Sequence, residues 1–417
     1  MSTGKLYLVL ARLQKRYLEV NHVRVLLVNH FPLEGSGSGI YTKNLAMQLV
    51  KKGHEVCVIA PDHQEVQMKG CEVRTIIFSD GKNCCYEVDF NFPCFTTHPK
   101  SYLTFYELSE FQINRYVDVF EKAMKEAVEE FVPDIIHCQH LWIAPYCASK
   151  LGVPYVVTAH GTDIKGFCRD ERYHPYALEG AKNAAAVITI SKQVDADVEK
   201  YYGVESGRRR LILNGFDEEI FRPRDLNRSD VLKSLNLNTD YEYVVSFVGK
   251  LTDFKGVDVL IRAAKIYSQE IQNVITLIVG NGEKYDELVK LRDDLDVKNV
   301  YFLGHRDQDV VSEIYSIADV SVVPSRNEPF GLVAIEALAC GTPVVATNQG
   351  GLVDFIDETI GSLVPVEDDI ALGEAIEAEI LSPSKSERRQ RAARKAMEYF
   401  SWDRVVDDVV RLYTDVL

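Results

Sequence analysis

At 417 residues the chain exceeds what a single hydrophobic core usually serves, so two or three domains are expected. Hydrophobic residues at 46% and charged residues at 26% exclude a disordered chain, and no apolar run approaches the roughly 18 residues of a membrane span. The formal charge of −15 argues against generic binding to nucleic acid, so any phosphate site must be a local cationic pocket in an acidic protein.

Residues 1–21 mix Leu6, Leu8, Val9 and Leu10 with Lys5, Arg12, Lys15 and Arg16. The apolar part is short and lacks a small-residue cleavage site, which disfavours a signal peptide. A helical or frayed extension is the expectation. A basic amphipathic helix on an anionic membrane is the alternative, giving a cytoplasmic protein with peripheral membrane contact. Nine scattered cysteines without a CxxC pair fit reduced cytosolic thiols and predict no metal site.

From Val23 onward β-rich runs alternate with helical patterns, the signature of parallel strands with helical crossovers. Strands are expected at 23–29, 55–60, 134–138, 154–159, 186–190 and 210–213. A helix is expected from Ile40 to Lys51, closed by Gly53. A second set of strands follows at 243–248, 274–279, 300–303, 320–323 and 343–347, with helices near 256–269, 283–295 and 330–339. The polar run 227–240 is read as linker. The fold class is therefore α/β with two doubly wound halves, and no solenoid repeat is present. Segment 80–112 is aromatic without periodicity. It is read as a satellite core under a lid, with an acceptor-facing surface as the alternative.

The densest chemical signal runs from Pro324 to Ala346. A buried strand ends at Pro324, a loop carries Glu328, and a helix starts near Phe330 with Gly331 in its first turn. In open α/β sheets ligands sit at the carboxyl ends of strands, and helix-start amides attract anions there. Glu328 is placed to accept hydrogen bonds from sugar hydroxyls, and Glu336, in an otherwise apolar helix, from a ribose diol. Carboxylates beside a diphosphate require cations nearby. Lys250 and Lys255, after the strand 243–248, supply them and would steady charge building on the leaving diphosphate. His137 and Cys138 fall on opposite faces of one strand, which disfavours a shared metal.

Glu328 and Glu336 around Pro329-Phe330-Gly331, followed by Gly341-Thr342-Pro343, resemble the family-4 retaining glycosyltransferases of the GT-B fold. The resemblance covers the chain from Val23 to its end. It implies two Rossmann-like doubly wound domains facing across a cleft: 22–218 for the acceptor, 219–400 for the nucleotide sugar, and a helix over 401–417 crossing back to the first. It also implies that Gly37 and Gly39 form a glycine-bearing loop whose backbone approaches the donor phosphates, ahead of a helix starting at Ile40. By the same resemblance His160 lies near the transferred sugar, and Asn214 lies in a loop at the mouth of the cleft. The base would be held at Gly304 and His305, and Gly350 would contact the sugar or phosphates. Gly249, Phe330, Leu332 and Val333 complete the implied donor site. His160, Lys250, Lys255 and Glu328 are the implied catalytic groups. The family usually carries arginine at the first cation, and Lys250 keeps the charge without the planar fork.

The expected activity is retaining transfer of a hexosyl unit from a nucleotide-diphosphate sugar to a lipid, saccharide or small-molecule acceptor. The donor is a co-substrate, with uridine favoured over guanosine, and no resident cofactor or metal is expected. Cleft closure would exclude water. Two alternatives are a non-catalytic nucleotide-sugar-binding partner subunit, and an epimerase or phosphorylase on the same architecture.

Overall fold

The computed structural model describes residues 22–417 apart from Asn83 and Thr97. The expected extension over 1–21, with its membrane-surface alternative, lies outside the described residues. Two compact units form, each with its own sheet. The first takes the chain up to Ile190 with Val194–Ile212 and Val406–Leu417, and the second takes Ser191–Gln193 and Leu213–Val405.

The first unit runs β1 (Arg24–Val28), α1 (Gly37–Lys51), β2 (Glu55–Asp62), β3 (Glu72–Ile77), α2 (Glu110–Phe131), β4 (Ile135–Gln139), α3 (Ile143–Ala148), β5 (Tyr155–Ala159), α4 (Thr162–Arg169), α5 (His174–Asn183), β6 (Ala186–Thr189), α6 (Lys192–Tyr202) and β7 (Arg209–Leu211). Its seven parallel strands lie in the order β3-β2-β1-β4-β5-β6-β7. β4, β5 and β6 are buried along their whole length, as strands covered by helices on both faces must be.

The second unit runs α7 (Arg228–Ser234), β8 (Tyr243–Val248), α8 (Val257–Glu270), β9 (Val274–Val279), α9 (Tyr285–Asp294), β10 (Val300–Gly304), α10 (Gln308–Ile317), β11 (Val320–Val323), α11 (Leu332–Ala339), β12 (Val344–Thr347), β13 (Gly361–Val364), α12 (Asp369–Ile380) and α13 (Lys385–Phe400). The last helix, α14 (Trp402–Val416), ends in the part of the chain that belongs to the first unit. Six parallel strands take the order β10-β9-β8-β11-β12-β13. Its core joins Phe247, Leu260 and Tyr267 to Ile278, Val322 and Ile376.

In both sheets the chain moves outward from its first strand, then returns to that strand's other side. The reversal falls between β1 and β4 in one unit and between β8 and β11 in the other. At such a point two neighbouring loops diverge above the sheet and leave a crevice at the strands' carboxyl ends.

Four expectations need correction. The run read as linker contains α7, capped by the Asn227 side chain accepting from the Asp230 amide at 3.2 Å, with Val231 and Leu232 buried. Strands β3 and β13 were not anticipated. The first helix begins at Gly37 rather than Ile40, because Ser36 caps it through the Gly39 amide at 3.0 Å. Gly37 and Gly39 are thus its first turn and not a preceding loop. Finally, Gly331 is the residue before α11, with φ of 107°, and not part of its first turn.

The aromatic segment is largely core. Phe92, Phe95 and Phe105 are buried, and Phe105 meets Tyr116, Trp142 and Tyr173 edge-on at 5.5–5.7 Å. Arg172 pins it by donating to the carbonyls of Leu108 and Tyr106. Tyr102 and Phe111 stand out, 80% and 74% exposed, and Tyr86 is about half exposed.

Candidate active site

At the β8/β11 reversal two loops are locked together. β8 ends at Val248, Gly249 passes its amide to Val279, and the chain reaches a short turn at Asp253–Lys255. Gly256 then adopts φ of 63°, and a Cβ there would stand 2.0 Å from the Pro324 carbonyl oxygen. Only glycine permits that approach. Across the crevice Lys255 Nζ donates to Glu328 Oε2 at 2.5 Å, and Ser325 Oγ donates to the same oxygen at 3.3 Å. Glu328 is buried, and Lys255 is about a quarter exposed. The pair therefore presents an ammonium group and one remaining carboxylate oxygen at the strand ends. Lys250 lies in the same loop as Lys255 and is exposed.

Gly350 and Gly351 back this arrangement from the β12 loop: the Gly351 amide donates to the Glu328 carbonyl at 3.0 Å. Thr347 Oγ1 and Gln349 Nε2 donate to the Ser325 carbonyl at 2.6 and 3.1 Å. Helix α11 starts at Leu332 and Val333 with no side-chain cap, leaving first-turn amides available to an anion. Phe330 turns its ring inward, against Phe355 at 5.5 Å and Phe400 at 6.3 Å, and so anchors the loop.

Glu336 lies one turn into α11, partly exposed, with Tyr315 and Cys340 within electrostatic reach. Burial pushes its carboxyl up to about 8. A carboxyl shifted this far upward carries its proton for part of the time at neutral pH. A carboxyl in that state both donates and accepts.

Gly304 closes β10 with φ of 68°, and its carbonyl accepts from the Gly280 amide at 2.9 Å. His305 follows, exposed. Asn214 is buried in the second unit, and its Oδ1 has no partner among the described residues.

His160 belongs to the first unit, at the end of β5. Its Nε2 donates to Gln139 Oε1 at 2.9 Å, and its ring meets Tyr41 edge-on at 5.2 Å. Burial lowers its pKa to about 3, and His30 and His137 are held near the same value for the same chief reason. These imidazoles are neutral hydrogen-bonding groups. Asp163, the second residue of α4, accepts from the Leu141 amide at 2.8 Å, and burial raises its carboxyl to about 6 against several backbone amides. His137 is bonded to Tyr413 and Thr158, which leaves it no role as a metal ligand beside Cys138.

Sequence reasoning did not single out Gln139, the last residue of β4, or Asp163, in the first turn of the helix that follows β5. It also missed Arg326, whose partners come from distant segments.

Comparison with known proteins agrees with this architecture. The family model "Glycosyltransferase Family 4" matches residues 35–220, and "Glycosyl transferases group 1" matches 228–396. An uncharacterized glycosyltransferase of Methanocaldococcus jannaschii is 30% identical, over 90% of this chain and 94% of its own. The chain is a family-4 glycosyltransferase with the GT-B fold. Another relative of this glycosyltransferase is a D-inositol 3-phosphate glycosyltransferase of Salinispora tropica, 32% identical over 68% of this chain and 64% of that one. Among solved structures, sucrose-phosphate synthase of Thermosynechococcus elongatus superposes with a TM-score of 0.75 at 25% identity, covering 94% of this chain and 98% of that one. Anabaena HepE, solved with UDP and glucose, does so at 0.71 and 20% identity, covering 94% and 99%. Among the described residues no helix is long and apolar enough to cross a membrane.

Proposed function

We propose that this glycosyltransferase moves a hexosyl unit from a nucleotide-diphosphate sugar with retention of anomeric configuration and without a metal ion. The observation that carries this reading is the Lys255–Glu328 pair at the β8/β11 reversal, whose carboxylate stands in the loop that leads into the uncapped start of α11. As the bond from the anomeric carbon to the diphosphate oxygen breaks, negative charge grows on the diphosphate. Lys255, Lys250 and the first-turn amides of α11 stabilise it in place of a divalent cation. Glu328 accepts hydrogen bonds from the sugar, and Glu336 grips the ribose. The base lies along Gly304 and His305. His160 and the first-turn amides of α1, at Gly37, serve the first unit's side of the reaction, and that unit takes the acceptor.

A uridine donor is the first to try, because a structure of Anabaena HepE, whose likeness concerns the fold, was solved with UDP-glucose. The acceptor is a hydroxylated small molecule, saccharide or lipid. The test is a panel of UDP-, GDP- and ADP-sugars with chelator present, read by thermal shift and by slow donor hydrolysis. A true donor at 100 times its Kd stabilises the fold by about 2.7 kcal/mol. Product anomers followed by NMR then report the stereochemistry. Donor binding without hydrolysis or transfer to any acceptor sinks the enzymatic reading, and an inverted product sinks retention.

A further inference from the structure

Arg326 sits two residues before Glu328, and none of its donors is free for a ligand. Both terminal nitrogens fork onto Asp258 of α8: Nη1 meets Oδ1 at 2.9 Å and Nη2 meets Oδ2 at 2.8 Å. Nε donates to Glu367 Oε1, and Nη2 also reaches Glu367 Oε2 at 3.0 Å. Nη1 donates in addition to the Asp253 carbonyl. A guanidinium has five N–H groups, and these five bonds use them all. The Arg326 backbone amide adds a sixth link, to the Phe254 carbonyl at 2.8 Å.

Every one of these acceptors except Glu367 belongs to the segment 253–258, which carries Lys255. The side chain is about a quarter exposed and the Asp258 side chain similar, so the fork is partly shielded from water. A planar fork meeting a carboxylate at two points fixes orientation as well as distance, which a lysine cannot do. Asp258 has a second partner in Arg262 Nη2 at 2.9 Å, so its position does not depend on Arg326 alone. The arginine instead ties the loop of Glu328 to the loop of Lys255.

We propose that Arg326 is a positioning residue for transfer: it sets the Lys255 ammonium against Glu328 by clamping the β11 loop onto the start of α8, without touching substrate. This inference rests on the Lys255–Glu328 reading of the site. Loosening the clamp leaves both groups present but misplaced, and a displacement near 1 Å costs about a hundredfold in rate.

The test uses full-length Arg326→Gln, Arg326→Lys, Lys255→Ala and the Lys255→Ala/Arg326→Gln double variant. Hydrolysis is measured with whichever of UDP-glucose, GDP-mannose and ADP-glucose the wild type turns over fastest. Arg326→Gln is expected to lose about tenfold or more in kcat with donor KM within about threefold, and Arg326→Lys to show the same split less strongly. In the Lys255→Ala background the same change is expected to cost less than about twofold, since residues acting as one unit are not additive. Unchanged kcat in Arg326→Gln, or an equal loss in both backgrounds, overturns the proposal. So does a loss in kcat that simply follows a fall in Tm across Arg326→Gln and Arg326→Lys. Wild-type turnover in Lys255→Ala would instead reject the underlying site, a separate result.

Discussion

Lys255 Nζ and Glu328 Oε2 stand 2.5 Å apart although 73 residues separate them, and they come from the two strands that flank the reversal in the second sheet. β8 delivers the cation and β11 the carboxylate. Because the two strands are hydrogen-bonded neighbours, their loops leave the sheet side by side and the pair closes over the crevice.

Removing the cation tests the pair directly. Lys255→Ala should lower turnover by about a hundredfold or more, the scale for deleting one group that stabilises developing negative charge. Steady-state donor hydrolysis measures the loss, and a Tm within a few degrees of wild type shows that the fold is kept. Undiminished turnover would remove Lys255 from the chemistry.

Glu336 should make donor affinity depend on pH. Its carboxyl titrates near 8 in the free protein, so a ribose held by the ionised form binds more tightly as pH rises from 6 to 8. Each pH unit below the pKa weakens such binding up to about tenfold. Glu336→Gln should flatten that profile, and Glu336→Ala should cost about 1–3 kcal/mol of donor binding. Calorimetry at several pH values reads both, and a flat wild-type profile would refute the ionised contact.

The same group has a stability consequence of opposite sign. The native form holds the proton that the unfolded chain releases above about 4.5, so this contribution falls as pH rises towards 8 and is constant beyond it. Urea unfolding should show Glu336→Gln gaining on wild type between pH 5 and 8. Parallel curves would contradict the buried carboxyl.

Gly37 and Gly39 should part company under substitution. A Cβ on Gly39 would lie 2.1 Å from the Pro32 carbonyl oxygen, whereas one on Gly37 would meet nothing within 4 Å. Gly39→Ala is expected to destabilise by about 2 kcal/mol or more, and Gly37→Ala to keep Tm unchanged or slightly raised. If Gly37→Ala nonetheless weakens donor hydrolysis, its bare backbone serves the ligand.

His30, His137, His140 and His160 should remain neutral far below the usual histidine range, since burial depresses all four. Their contribution to stability is complete above pH 6.5 and is lost as pH falls from there towards 3, because the unfolded chain takes up protons that the native imidazoles refuse. Nitrogen shifts of selectively labelled histidines should hold their neutral values from pH 8 to 5. A buried imidazole titrating near 6.5 would count against this.

Much of the second sheet was legible. Largely apolar runs at Tyr243–Val248, Val274–Val279 and Val320–Val323, each broken by a single Ser or Thr, are strands with those same ends, since a parallel strand buried on both faces needs no alternation. β13 was not legible. Gly361-Ser362-Leu363-Val364 is short and begins with glycine, and it becomes a strand by pairing with β12. Helix α7 was hidden for a different reason: only two of its residues are buried, so its polar surface reads as linker.

From its own residues and the family they resemble, the chain declares two parallel sheets, the glutamates at 328 and 336, and the cations that a diphosphate among them demands. These features are local: runs of apolar residues, glycines at turns, and charged residues where strands end. Tertiary structure alone decided that Lys255 pairs with Glu328, that burial raises the Glu336 carboxyl, and that Arg326 is consumed in a clamp on Asp258 and Glu367. Protonation follows from how much water the packed protein excludes. Pairing follows from which distant loops the sheet order sets beside each other, and neither is written in neighbouring residues.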